Sequence, residues 1–356
     1  MSKNTSWKIA SLLALQFLVL TYAVAQNTQD TAAVKVLKDS WLDHQIQQDP
    51  NGILEIRLET DMKQLIKGKM SEQYQPAVFS YTDKDGTLKR YEVEIKARGK
   101  TRKELCQHPP IKVKFKRTVL EAEGFGPYNE MKVVWECQNS NVYEQYIYRE
   151  YMTYQLYSIL ISSSFRTKLV RINVVDPKNP DRKLEKIGFM VEDEDQVADV
   201  IGGVMSEEPP KEMRSIARQP LLVFGVFQYM IGNTDWSFGN LHNTRFIKLP
   251  GQVTRLIPVP YDFDYAGLVG TPYAVPHESL SISSVRERVY RGSPCSETEL
   301  TLVRQKFLDA KPKMIAYCEA FPHLDKISRV DFMEYLNEFF TLLDDPKKFY
   351  KAINPQ

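Results

Sequence analysis

Asp235 and Asn240 stand five residues apart in the segment Gly232-Asn233-Thr234-Asp235-Trp236-Ser237-Phe238-Gly239-Asn240. No other Asp in the chain has an Asn five residues later. Phosphoryl transfer from ATP needs one carboxylate to orient the acceptor hydroxyl. It also needs an Asn and an Asp to hold a divalent cation against the phosphates. Kinase catalytic loops place the first carboxylate five residues before the Asn. A second segment, Pro260-Tyr261-Asp262-Phe263-Asp264-Tyr265-Ala266-Gly267, supplies the Asp. On this reading Asp235 is the catalytic residue, and Asn240 and Asp262 hold Mg²⁺ or Mn²⁺. Asp264 reads either as a further metal carboxylate or as a solvated turn residue.

Cations for the phosphates lie earlier in the chain. A Lys on a strand, steered by a helix Glu, holds the α- and β-phosphates in kinases. Lys132 precedes Glu150 by 18 residues, with a strand and then a helix between them, and is the first choice. Lys114 on the preceding strand is the second. The turn Ala97 to Glu104 carries Arg98, Lys100, Arg102 and Lys103, of which Arg98 and Lys100 are assigned to phosphate. Gly99-Lys100-Thr101 is not a P-loop, because Glu94 stands where that motif needs Gly. No G-x-G-x-x-G loop occurs, and no His-Arg precedes Asp235. Adenine is expected against the acidic crossing at Val191 to Asp193. The five His show no zinc-ligand spacing, and His242, near the site, reads as a surface residue in preference to a phosphate contact. There is no G-x-S-x-G elbow.

These residues need elements to position them. Ile53 to Leu58, Ala77 to Tyr81, Tyr91 to Ala97 and Ile111 to Phe115 alternate apolar with polar residues, and Met131 to Trp135 is a further strand. The turn Asp83-Lys84-Asp85-Gly86 joins two of them as a hairpin. Tyr143 to Leu160 has helical spacing, and Lys168 to Val175 and Ile187 to Val191 are strands. Arg214 to Ile231 is an apolar helix stopped by Gly232. Phe246 to Leu249 and Val253 to Val259 form a hairpin, and Ser296 to Tyr350 is helical in pattern. The layout is α+β: a β-rich module over 26–190, then a mainly helical module over 191–356 that carries the catalytic segment.

Composition excludes other classes. The 356 residues are 43% hydrophobic and 26% charged, which is neither disordered nor multi-span membrane composition. Lys3 and Lys8, the apolar run Ile9 to Leu20 and the site Ala23-Val24-Ala25 form a signal-peptide pattern over residues 1–25. A secreted or periplasmic location is expected, with no stable membrane anchor after cleavage. The chain has 47 basic and 45 acidic side chains, and losing Lys3 and Lys8 balances them. That argues against nucleic acid as a partner. Export favours disulfides, and Cys106–Cys137 with Cys295–Cys318 is the preferred pairing of the four Cys.

The segments A-R-G-K-T-R, P-P-I-K-V-K-F, N-T-D-W-S-F-G-N and P-Y-D-F-D-Y-A-G resemble the spore-coat CotH kinase-like family over roughly residues 50–290. They also resemble aminoglycoside phosphotransferases in the order of catalytic loop and following D-F-D turn. The resemblance implies a bilobal protein-kinase-like fold, with a β-rich N-terminal lobe and a mainly helical C-terminal lobe. It further implies ATP, a divalent metal and Ser on a protein substrate. The expectation is an exported atypical kinase acting on Ser or Thr hydroxyls. Its rivals are a secreted pseudokinase or adhesion module without turnover, and an enzyme that transfers AMP from the same metal site.

Overall fold

The computed structural model describes residues 38–251 and 255–354. The expected signal peptide and the tip of the hairpin near Gln252 lie outside the described residues. In chain order, α1 (Trp41–Gln48), β1 (Leu54–Glu59) and α2 (Met62–Lys67) are followed by β2 (Gln75–Thr82), β3 (Leu88–Ala97) and α3 (Thr101–Leu105). Next come β4 (Ile111–Phe115), α4 (Arg117–Ala122), β5 (Glu130–Trp135), α5 (Asn141–Leu160), β6 (Thr167–Asp176) and β7 (Asn179–Val191).

The seven strands close into a barrel in the order β1-β2-β3-β4-β5-β7-β6. Closure comes from β1 lying parallel to β6, with Leu54 opposite Val170 and Glu59 opposite Val175. All other pairs in the barrel are antiparallel. This overturns the expected bilobal protein-kinase-like fold: the strands form a closed barrel, and the helices lie mostly in a C-terminal segment. Alternating hydrophobicity shows which face of a strand is buried but not which distant strand it pairs with. The closing pair joins residues more than a hundred positions apart, so local patterning could not reveal it.

The alternation explains the core. In β3, Tyr91, Val93, Ile95 and Ala97 point inward and are buried. They join Ile56, Phe79, Val113, Phe115 and Trp135 inside the barrel, with Trp41 of α1 inserted among them. A capping box between Ser40 and Asp43 starts α1. Strand β5, the start of β6 and the last residues of β7 are buried on both faces. Val133, Val170 and Met190 face inward, while Val134, Leu169 and Phe189 pack on α5 and the later helices.

After β7 come α6 (Glu194–Val200), β8 (Val204–Ser206), α7 (Arg218–Ile231), β9 (Thr244–Lys248) and β10 (Leu256–Pro260). Strands β8, β9 and β10 form a small antiparallel sheet in the order β10-β9-β8. The acidic crossing is the start of α6: Asp193 caps it through the Asp195 N–H, and Glu194 and Asp195 occupy its first turn. Carboxylates there meet the positive end of the helix dipole. The chain finishes with α8 (Glu297–Ala320), α9 (Lys326–Asp344) and α10 (Pro346–Ile353). Among the described residues no helix is long and apolar enough to cross a membrane.

Cys106 and Cys137 are disulfide-bonded, across 31 residues. Cys295 and Cys318 are buried free thiols, against the expected second bridge. Each packs as a small apolar group beside the helices. Replacing Cys106 and Cys137 together by Ser should cost roughly 2–4 kcal/mol, read as a shift in the urea midpoint. Replacing Cys295 and Cys318 together by Ala should leave the number of disulfides unchanged by mass spectrometry.

Candidate functional site

The segment after α7 is fixed at both ends. Gly232 is left-handed at φ 64° and stops the helix, and an added Cβ would meet the Tyr335 hydroxyl at 2.0 Å. Its carbonyl accepts from the Gly267 N–H at 3.1 Å, tying the Asp235 segment to the turn that carries Asp262. The hairpin β9–β10 separates the two in sequence, and antiparallel pairing returns the chain beside its start.

Asp235 is the best-supported group. Its N–H donates to Asn233 Oδ1 at 3.0 Å. Asn243 Nδ2 donates to its Oδ2 at 3.0 Å and to its carbonyl at 2.8 Å. His242 Nε2 lies 2.8 Å from Oδ1. The carboxylate remains 34% exposed. It borders a cleft of about 500 Å³ that Asn240 and His242 also line. Asn240 Oδ1 accepts the His242 N–H at 3.2 Å. His242 is therefore not the free surface residue the sequence suggested. The hydrogen bond to Asp235 raises its pKa above 6.5; burial opposes this, and the charges of Asp235 and Asp262 add to the rise.

Asp262 sits just beyond β10 with φ 62°, a left-handed position that costs a non-glycine residue of order 1–3 kcal/mol. Its N–H is held by the buried Tyr154 hydroxyl of α5 at 2.8 Å. Its charge acts on His242 and on Asp264, both of which also feel Asp235. The two carboxylates thus share one electrostatic neighbourhood.

Asp264 is not a solvated turn residue, and one of its carboxylate oxygens is already taken by a cation, Arg102. It is buried, accepts from Arg102 Nε at 2.8 Å and from the Tyr273 hydroxyl at 3.2 Å. Arg102 Nη2 also donates to Glu150 at 2.6 Å. The expected pairing of Glu150 with Lys132 or Lys114 is not formed. Lys132 instead meets Glu194 at 2.5 Å, and Lys114 lies 3.8 Å from Glu130. Arg102, on the five-residue helix α3, occupies Glu150 instead. The Cys106–Cys137 bridge anchors the end of α3 to the strand leading into α5.

A second groove continues from the first. Glu194, Arg245, Tyr261, Asn240 and His242 border a hollow of about 580 Å³. Beyond it Lys112, Lys114, Lys132 and Glu130 border another of about 610 Å³, and Glu194 and Arg245 line both. Burial lowers the Lys132 ammonium, and Glu194 opposes this, leaving it at about 8. Burial raises Glu194, but Lys132 and Arg245 pull it down to about 2. Arg98 and Lys100 flank Gly99, whose φ of 85° demands glycine. Arg98 acts electrostatically on Lys132, Tyr154 and Tyr261, and Lys100 acts on His242.

Among the described residues no three His, Cys, Asp or Glu side chains are grouped to hold a metal by themselves. A cation here would take its oxygens from Asp262, Asn240, water and substrate phosphate. That donor set suits Mg²⁺, which keeps several waters and uses one or two carboxylates.

Asn243 and Asn233, which orient Asp235, were missed in the sequence, and Arg102, the actual partner of Glu150, was not among the assigned site residues. A positive φ of 51° at Asn243 marks a turn that Asn tolerates, and an Asn-rich stretch between helix and strand is the one local sign of it. The chain matches no protein-family model, and no curated protein matches it.

Proposed function

We propose that this chain transfers the γ-phosphoryl group of ATP to a hydroxyl acceptor, Ser or Thr of a protein, outside the cytoplasm. One observation carries the reading. A carboxylate held by Asn243 and His242, on a backbone fixed by Asn233, faces a cleft shared with Asn240, in electrostatic contact with Asp262. Asp235 orients the acceptor hydroxyl and takes its proton as the acceptor oxygen bonds to the γ-phosphorus and the bond to the β–γ bridging oxygen breaks, releasing ADP. Asn243 keeps one carboxylate oxygen occupied, so His242 decides whether the other is free. Asn240 and Asp262 would hold Mg²⁺ or Mn²⁺. The ion would neutralise charge on the phosphates. Arg98 and Lys100 would add positive charge at the same end, with the base lodged toward Lys132 and Glu194.

Labelled ATP tests the reading on the mature chain. Transfer of label from the γ-phosphate to protein supports it. Transfer from the α-phosphate replaces it with nucleotidyl transfer. Neither label, with no thermal shift from ATP and Mn²⁺, leaves a binding module.

The His242–Asp235 contact sets a pH dependence. Protonated His242 holds Asp235 Oδ1 in an ion pair and competes with the acceptor hydroxyl. Its pKa is raised, so transfer should climb as pH rises through a value above 6.5. His242→Ala should remove that limb. An unchanged acid limb in the variant would separate His242 from the reaction.

A further inference from the structure

We propose that the cleft beside Asp235 takes an acidic acceptor: a peptide whose hydroxyl residue is flanked by Asp or Glu, read by Arg291. This deepens the phosphotransfer reading and rests on Asp235 facing the acceptor.

The segment Arg286 to Arg291 carries three guanidinium groups with different fates. Arg286 pairs with Asp331 at 2.9 Å, and Arg288 pairs with Glu338 at 2.9 Å. Arg291 meets no carboxylate within ion-pair distance among the described residues. Its Nη1 donates to the carbonyl of Thr234 and, at 3.2 Å, to that of Trp236. Those two carbonyls bracket Asp235, so Arg291 is fixed relative to the carboxylate. The guanidinium lies 5.2 Å from the Trp236 ring centroid.

Two carbonyl contacts through one nitrogen leave Nε and Nη2 of Arg291 without a hydrogen-bonding partner among the described residues, while the side chain lines the cleft. Burial disfavours its charged form, and Asp235 offsets this only in part. A partly desolvated guanidinium with unused donors in a fork is built for a carboxylate. The cleft holds one acidic group, Asp235, already engaged by His242 and Asn243. Val275, 66% exposed, offers an apolar ledge for the peptide chain.

Fluorescence anisotropy with labelled Ser peptides tests this on the full mature chain, using acidic and matched basic flanks. The acidic peptide should bind at least about tenfold more tightly, since rim charges of like sign repel the wrong partner. Arg291→Glu should reverse the order, an outcome that loss of structure cannot mimic. Arg291→Lys should keep the acidic preference with weaker binding, which guards against misfolding of the charge-reversed variant. Equal binding of both peptides, or an acidic preference that survives in folded Arg291→Glu, would overturn the proposal. Acidic binding without any γ-phosphate transfer would support this inference and remove the phosphotransfer reading. Transfer to basic peptides in preference would do the reverse.

Discussion

Arg102→Ala should destabilise the fold by about 3–5 kcal/mol at pH 8. The guanidinium is 8% exposed and bonds both Glu150 and Asp264, whose side chains are 1% and 7% exposed. Its removal strands two carboxyl groups whose pKa burial already raises, with the charge of Asp262 adding to the rise. The surface pair Arg90–Glu59 is the control, because loss of an exposed pair costs about 0–1 kcal/mol.

The cost should shrink as pH falls. Burial raises Glu150, Arg102 opposes this only in part, and Asp264 and Asp262 push it further, to about 8. A carboxyl raised in the folded state contributes stability fully below its unfolded value and loses it as pH rises through the folded one. The window here runs from 4.5 to about 8. Glu136 and Glu192, both raised by burial to about 7, act with the same sign. Wild-type stability should therefore fall across this window in chemical denaturation, and Glu150→Gln should flatten part of the fall. A cost of Arg102→Ala that does not change with pH would mean that the acids do not depend on it.

Asp235→Asn should lower phosphoryl transfer about 10²–10⁴-fold while leaving ATP binding intact. The amide oxygen can still accept from Asn243, and a neutral His242 can still meet the amide, so the loop keeps its anchors. What is lost is the oxygen that receives the proton. Asp262→Asn should behave differently and remove metal-dependent ATP binding, read by calorimetry. Equal turnover in wild type and Asp235→Asn would exclude Asp235 from the reaction. Loss of ATP binding in Asp235→Asn would move it to the phosphate side of the site.

The strands and helices were legible because each has a local cause. Alternation in β3 and β4 is the imprint of one buried face, and the apolar run of α7 is the imprint of burial nearly all round. That Asp235 follows a helix stop and Asp262 the end of a hairpin was legible for the same local reasons. Barrel closure was not, since it depends on β1 meeting β6 across the chain. Ion-pair partners were not legible either. Lys132 and Arg102 are both cations near carboxylates in sequence pattern. Only packing gives Glu194 to the first and Glu150 with Asp264 to the second.

The amino-acid order by itself determined the alternation of strands, the helix stop at Gly232 and the acidic start of α6, because these follow from backbone sterics, side-chain period and nearby charge. The tertiary structure alone decided which strands close the barrel and which cation neutralises which buried acid. It also decided that Asn243 and His242 hold Asp235. Each of these joins groups through space, and their free energy depends on distance and desolvation that no local pattern encodes.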